Sequence, residues 1–407
     1  MDELHARPVD IVEPTTRVRR LVFVVSSRED EADALFARFA AFCAGNGHVA
    51  PTRDIRQSSF LAAPYAVTWE FHTEFVTVTW RAPASDKENW PAAVGLSVLE
   101  AAQLIAATRI DVITESAIPE HFLPQFDVSS LCVATVEDGG AEVATDFVTD
   151  DDGYTRFEFA AGGLTPLRRS VLVRRLLEID TYRSMVLLAL PLARRTSAAL
   201  HDAERDLSAL IESLSGATTV ERIQTALDSL HDLSVRSGQL SERLGYRFAA
   251  SKAYGDVLHA RLLSIREGST PHGSSIGRYL GNRVDPALGT CLAMEKRLGV
   301  LTTKIERAIE LLNVRIGLDL QIQNKTVLET IARTAQSQFR LQATVEGLSV
   351  IAISYYALGI LSYLLAGPLE FLALDKTLTL SIAAPFAVLV VWLFVRRLRK
   401  SHGPHLP

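Results

Sequence analysis

A chain of 407 residues has room for two or three domains, and a hydrophobic share of 48% supplies a sizeable core. A formal net charge of −5 leaves no global basic field of the kind that binds nucleic acid. Cys43, Cys132 and Cys291 stand far apart with no CxxC pair, which suits a reducing compartment and small buried thiols.

Residues 1–20 carry Asp2, Glu3, Arg7, Asp10, Glu13, Arg17, Arg19 and Arg20 and no apolar run, so no signal peptide is expected there. Residues 1–164 read as an α/β sheet domain. Leu21–Ser26 predicts a short strand, and Ala32, Leu35, Phe36, Phe39 and Phe42 have helical spacing across Glu29–Cys43. Tyr65–Trp80 alternates as a strand or a bent strand pair, and Pro91–Ala107 predicts an alanine-rich helix that starts at proline. Further strands are expected at Ile110–Thr114, Leu131–Val136, Glu142–Val148 and Tyr154–Phe159, the last after an acidic turn at Asp150-Asp151-Asp152-Gly153.

Residues 165–285 read as a long-helix domain: one helix over 166–214 kinked at Pro191, a second over 218–266, and a loop at Gly268–Ser275. A short helix follows, and Asp285-Pro286 predicts a fresh N-terminus. From there residues 286–346 form a stalk helix. Its stripe includes Ile305, Ile309, Leu312, Ile316, Leu320, Gln323, Val327, Ile331, Gln338 and Val345. Gln323 and Gln338 fall on the stripe itself. They are the candidates for fixing register and copy number in a self-associating, coiled-coil-like bundle, with a solvated helix surface as the plainer reading.

Residues 347–396 predict a two-span transmembrane hairpin. Leu348–Ala366 and Thr377–Val395 lack Asp, Glu, Lys and Arg, and each matches the roughly 30 Å of a bilayer core. Residues 397–407 form a basic tail. Arg333 and Arg340 precede the first span and Arg396, Arg397, Arg399 and Lys400 follow the second, whereas the connecting segment holds Glu370 and Asp375. The positive-inside rule then puts both termini in the cytoplasm and the short loop outside, across a bacterial inner membrane. Within the spans, Ser354 and Ser362 share one stripe and Gly359 lies on another, the pattern of helix packing in lipid.

Several stretches in order resemble a bacterial family of uncharacterised membrane-anchored proteins, a domain-of-unknown-function family, over essentially the whole chain. They are Glu3–Pro8, Trp69–Phe75, Ala144–Phe147, Gly153–Phe157, Leu176–Arg183, Leu190–Arg194 and Leu341–Tyr356. The chain departs from that pattern at Gly281-Asn282-Arg283, where paired arginines are usual, and at Asn324-Lys325, where Gln is usual. The resemblance carries no catalytic residues to transfer. In architecture alone the chain also resembles CorA-type magnesium channels. Those have Gly-Met-Asn where the first span ends, and this chain has Leu365-Ala366-Gly367-Pro368.

Glu70, His72 and Glu74 alternate along one predicted strand, so they share a face and form a candidate site for a divalent cation. A polar outer face pairing with arginines is the plainer alternative. Arg174, Arg175, Glu178, Asp180 and Arg183 predict either salt bridges within one helix or a buried ionic network docking it on the sheet. No nucleophile elbow, P-loop, dinucleotide fingerprint or zinc pattern occurs, so the chain is not expected to be an enzyme and needs no cofactor. The leading expectation is a membrane-anchored homo-oligomer whose sheet domain binds a ligand or partner. The alternatives are a CorA-like channel with Glu370 and Asp375 at its outer mouth and, weakest, a membrane-tethered enzyme.

Overall fold

The computed structural model describes residues 10–25, 29–52, 56–214, 219–364 and 376–401. Its architecture is mixed α+β, in two compact units, Met1–Glu310 and Leu311–Pro407.

The first unit is built on a nine-stranded sheet. In chain order the strands are β1 (Thr16–Val24), β2 (Gln57–Ala62), β3 (Tyr65–Phe71), β4 (Phe75–Pro83), β5 (Gln103–Ile113), β6 (Cys132–Val136), β7 (Ala141–Thr149), β8 (Thr155–Ala160) and β9 (Gly268–Ser269). Their spatial order is β2-β3-β4-β1-β5-β8-β7-β6-β9, and β5 and β8 run parallel where every other neighbour pair is antiparallel. The helices are α1 (Glu29–Gly45), α2 (Pro166–Leu187), α3 (Ala189–Leu214), α4 (Val220–Ser264), α5 (Ile276–Leu364) and α6 (Lys376–Ser401).

Alternation along the strands gives the sheet two buried faces. On one, Val18, Ile110, Val143, Phe157 and Phe159 pack against Leu172, Leu176 and Ile179 of α2, with Leu258 of α4 and Ile276, Leu280 and Val284 of α5. On the other, Leu21, Val67, Trp69, Val78 and Trp80 meet Leu35, Phe39 and Cys43 of α1. Cys132 and Cys291 are buried as well, and burial pushes the Cys132 thiol up to about 12, so it stays protonated at neutral pH.

Three expectations are corrected, and between the two readings of Tyr65–Trp80 the bent strand pair holds. Pro91–Ala107 is not a helix: two short 3-10 turns, Ala92–Val94 and Leu96–Leu99, flank Gly95, whose φ of 90° no α-helix accommodates, and β5 begins at Gln103. There Ala106 and Ala107 serve as small sheet residues, which composition reads as helix formers. Tyr65–Trp80 resolves into the β3–β4 hairpin, closed by His72 N–H donating to Phe75 O at 2.9 Å. The helix expected over 166–214 is two helices that meet at Leu188, three residues before Pro191. Asp285-Pro286 does not start a helix. Pro286 lies inside α5, and Asp285 faces His259 Nε2 of α4 at 3.1 Å. A strand the sequence concealed, β9, pairs with β6 from within the expected 268–275 loop.

In the second unit α5 continues to Leu364 and α6 follows. Among the described residues one helix, Ile276–Leu364, is long and apolar enough to cross a membrane. The second expected span falls on α6, part of whose side chains lie outside the described residues, as do Glu370 and Asp375.

Candidate functional site

The register of β1 to β4 builds a polar patch on the sheet face that α2 covers. Gln57, Glu70 and Thr77 lie abreast on β2, β3 and β4, and the adjacent row holds Thr68, Thr79 and Arg20. Helix α2 starts at Thr165, whose hydroxyl caps Arg168 N–H with Pro166 in the first turn, and this start brings Ser170, Val173, Arg174 and Leu177 over the patch. Sheet and helix line a small cavity of about 60 Å³ that is open to solvent.

Glu70 is 6% exposed and lies at the centre of the charge pairing. Arg20 Nη2 donates to its Oε2 at 3.2 Å, Thr77 Oγ1 donates to the same oxygen at 3.2 Å, and Arg174 Nη2 stands 3.5 Å from its Oε1. Arg20 Nε donates to Thr79 Oγ1 at 2.8 Å. Arg174 Nε also donates to Glu178 at 3.1 Å, and Arg261 of α4 pairs with the other Glu178 oxygen. One row further along the same sheet face Arg81 Nη1 donates to Ile11 O at 2.8 Å and its Nη2 lies 3.5 Å from Asp10. Buried ions of this kind are tolerated because each has a partner of opposite sign. The ionic network expected on α2 therefore docks the helix on the sheet. Asp180, fully buried, accepts Thr108 Oγ1 of β5 at 2.6 Å and pairs with Arg183 at 2.7 Å.

Glu70, His72 and Glu74 do not form the expected row. Strand β3 ends at Phe71, so the hairpin turn breaks the alternation that would have aligned them. The His72 ring stacks on Phe75 at 4.0 Å. Glu74 turns to α4 and accepts Arg247 Nη1 and Nη2 at 3.2 and 2.8 Å, with Tyr246 and Tyr254 also bonded to it. Among the described residues no group of three or more His, Cys, Asp or Glu is arranged to hold a metal ion. The two acids of the trio thus anchor two different helices, α2 and α4, to the sheet.

A second charged field lies on the opposite face. Arg19, Arg109 and Arg156 are abreast on β1, β5 and β8, and Arg17, Asp111 and Glu158 form the next row. Arg109 reaches Asp150 and Asp152 of the acidic turn at 3.1 Å each, and Arg19 reaches Asp86 at 3.0 Å. Burial, and then the Asp111 carboxylate, pushes Glu158 up to about 8 despite its arginine neighbours. Its Oε2 is buried without a hydrogen-bond partner among the described residues.

A family model described as a protein of unknown function, DUF3422, matches residues 1–402. The chain belongs to this family. No curated protein and no solved structure matches it. Within this DUF3422 chain, Trp69–Phe75 spans the end of β3 and the turn that redirects Glu74, and Leu176–Arg183 supplies the docking acids of α2.

Gln323 and Gln338 are exposed on α5. In the second unit Ser354 is 3% exposed, and its hydroxyl has no partner among the described residues. Ser362 Oγ donates to Gly359 O at 2.8 Å. A Cβ added at Gly359 would meet nothing within 4 Å, so no close helix approach inside one chain requires glycine there. Gly359 and Ser362 line, with Tyr355, Tyr363, Thr377 and Ser381, a cavity of about 750 Å³ between α5 and α6. Sequence reasoning missed Arg20, Gln57 and Arg81. The signal for the first was the run Arg17-Val-Arg-Arg20, whose alternation within a strand sends Arg20 to one face and Arg17 and Arg19 to the other.

Proposed function

We propose that the chain is a membrane-anchored, self-associating, non-enzymatic protein whose sheet unit binds a small ligand in the cavity between β1–β4 and α2. The observation that carries this reading is the change of surroundings along one helix. On α5, Ile276, Leu280, Val284, Leu298, Leu301, Ile305 and Leu312 are buried. Beyond Leu312 most of the large apolar side chains are exposed, among them Leu318 at 55%, Leu328 at 66%, Phe339 at 70% and Leu341 at 66%. Covering one such side chain is worth about 1.5–3 kcal/mol, so a row of them in water argues for a cover. Second copies of the same helix cover residues 314–345 in this reading, with Gln323 and Gln338 setting the register. Lipid covers Leu348–Ala366 and Thr377–Val395, as a hairpin with both termini in the cytoplasm of a bacterial inner membrane.

Alkaline carbonate extraction tests the anchor: the full chain stays in the membrane pellet, and release into the supernatant contradicts it. Single cysteines placed at Glu370 and at Ser401 test the topology, because an impermeant maleimide labels intact spheroplasts at the first position only. The cavity between α5 and α6, which carries the hydroxyls of Ser362 and Ser381 in a largely apolar lining, is the observation behind a second reading, an oligomeric cation channel of CorA-like layout with Glu370 and Asp375 at its outer mouth. Cation uptake into proteoliposomes that is abolished by Glu370→Ala with Asp375→Ala supports the channel, and sealed liposomes remove it.

A further inference from the structure

Helix α5 changes its apolar period partway along. Where the chain packs on itself, Cys291, Met294, Leu298, Leu301 and Ile305 are buried and follow in steps of three and four, a repeat of seven residues. Leu312, the last buried apolar residue of α5 among the described ones, still fits that repeat. Carried further, the same repeat would put Arg315, Asp319, Glu329, Arg333 and Arg340 on the seam.

The stretch beyond Leu312 follows a longer repeat. Ile316, Leu320 and Gln323 recur eleven residues on as Val327, Ile331 and Thr334, and again as Gln338, Gln342 and Val345. None of these is charged, and Arg315, Asp319, Lys325, Glu329, Arg333 and Arg340 all fall off the stripe they form. Leu328 and Phe339, also eleven apart, border it on one side. Eleven residues in three turns give about 3.67 per turn, against ~3.6 for a straight helix, so helices that meet along such a stripe wind slightly right-handed. Within one chain Leu320, Val327, Ile331 and Val345 are each more than half exposed.

The stripe is complementary to itself. A glutamine amide both donates and accepts, and so does a threonine hydroxyl, so Gln323, Thr334 and Gln338 can each bond the same residue of another copy. That pairing needs copies that run parallel and level, and it sets Val327 on Val327 and Ile331 on Ile331. An antiparallel pair that matched Gln323 to Gln338 would instead set Thr334 against Val327 in both copies, which spends a hydroxyl on an aliphatic neighbour. With no charge on the stripe, identical copies meet there without like-charge repulsion.

We infer that residues 316–345 are a docking surface for further copies of this chain, which meet along it parallel and level in the eleven-residue repeat. The inference rests on the self-association proposed above and specifies how the copies meet.

Same-site disulfide cross-linking of the full chain in membranes tests it, with cysteines introduced one at a time and the buried Cys43, Cys132 and Cys291 left in place. A disulfide needs Cα atoms about 4.4–6.8 Å apart, so a residue links to itself only where two copies touch at one level. After mild oxidation Ile316→Cys, Val327→Cys, Ile331→Cys and Gln338→Cys run as covalent dimers on non-reducing gels. Arg315→Cys, Glu329→Cys, Arg340→Cys and the unmodified chain stay monomeric there. Dimers at 315, 329 and 340 in place of 331 and 338 overturn the eleven-residue repeat and leave self-association standing. A dimer at one level alone overturns the parallel arrangement. No dimer at any position overturns the docking surface. In that case a discrete oligomer mass in mild detergent leaves self-association through other residues, and a monomeric mass removes that reading as well.

Discussion

The sheet unit and the far half of α5 handle costly side chains in opposite ways. Around the sheet, ions are buried and paired within the chain: Glu70 with Arg20 and Arg174, Glu74 with Arg247, and Asp180 with Arg183 and Thr108. Beyond Leu312, α5 does the reverse and leaves apolar side chains such as Leu318, Leu328, Ile331 and Phe339 in the open. A region whose groups are satisfied internally can be understood from one chain. A region that is unsatisfied defines what must cover it, and in the proposed reading two covers differ in kind. Residues 314–345 mix Gln, Asn and charged residues with the apolar ones, as an aqueous helix bundle requires, whereas 348–364 carry no Asp, Glu, Lys or Arg, as lipid requires.

Deleting residues 348–407 gives the largest expected effect. The shortened chain moves from the membrane pellet to the supernatant, and persistent pelleting would show that the sheet unit or the stalk binds membranes by itself. Asp180→Ala comes next. It strands the Thr108 hydroxyl and Arg183 around a fully buried position, for a loss of about 3 kcal/mol in urea unfolding followed by fluorescence of Trp69 and Trp80. A loss below about 1 kcal/mol would mean that α2 docks by its apolar face alone.

Glu158 gives a pH-dependent effect of intermediate size. Its folded value of about 8 lies above the ordinary 4.5, so the folded chain keeps a proton that the unfolded chain releases between those values. Its contribution is therefore fully present below about pH 4.5 and is lost as pH rises towards about 8. Glu158→Gln keeps the neutral form, so the variant gains on the unmodified chain by on the order of a few kcal/mol between those limits. Parallel stability curves would contradict the raised value. Gln338→Leu is the smallest. It changes association by about 1 kcal/mol and broadens the distribution of oligomer masses, because an apolar stripe fixes register less well than a buried amide. An unchanged distribution would place Gln338 on the solvated side.

Legibility followed period and packing. Strands β6, β7 and β8 were readable because Val, Thr and Phe recur in short runs bounded by turn residues. The first half of β1 was not, because Arg17, Arg19 and Arg20 look like surface residues until partners from distant strands are known. The helix expected at Pro91–Ala107 failed for the converse reason: alanine favours helix locally, while the sheet needed small residues beside β1. Half of the candidate site was visible in advance. Glu70 and the charges of α2 stood out, but Gln57 and Arg81 join them only through strand register, which one sequence does not reveal.

The claim that the exposed half of α5 is covered by other copies of itself is tested most directly by the mass of the full-length chain in mild detergent, measured by native mass spectrometry. The account predicts a discrete oligomer, with backbone amides over 314–345 protected from hydrogen exchange. A monomer with that segment unprotected would contradict it.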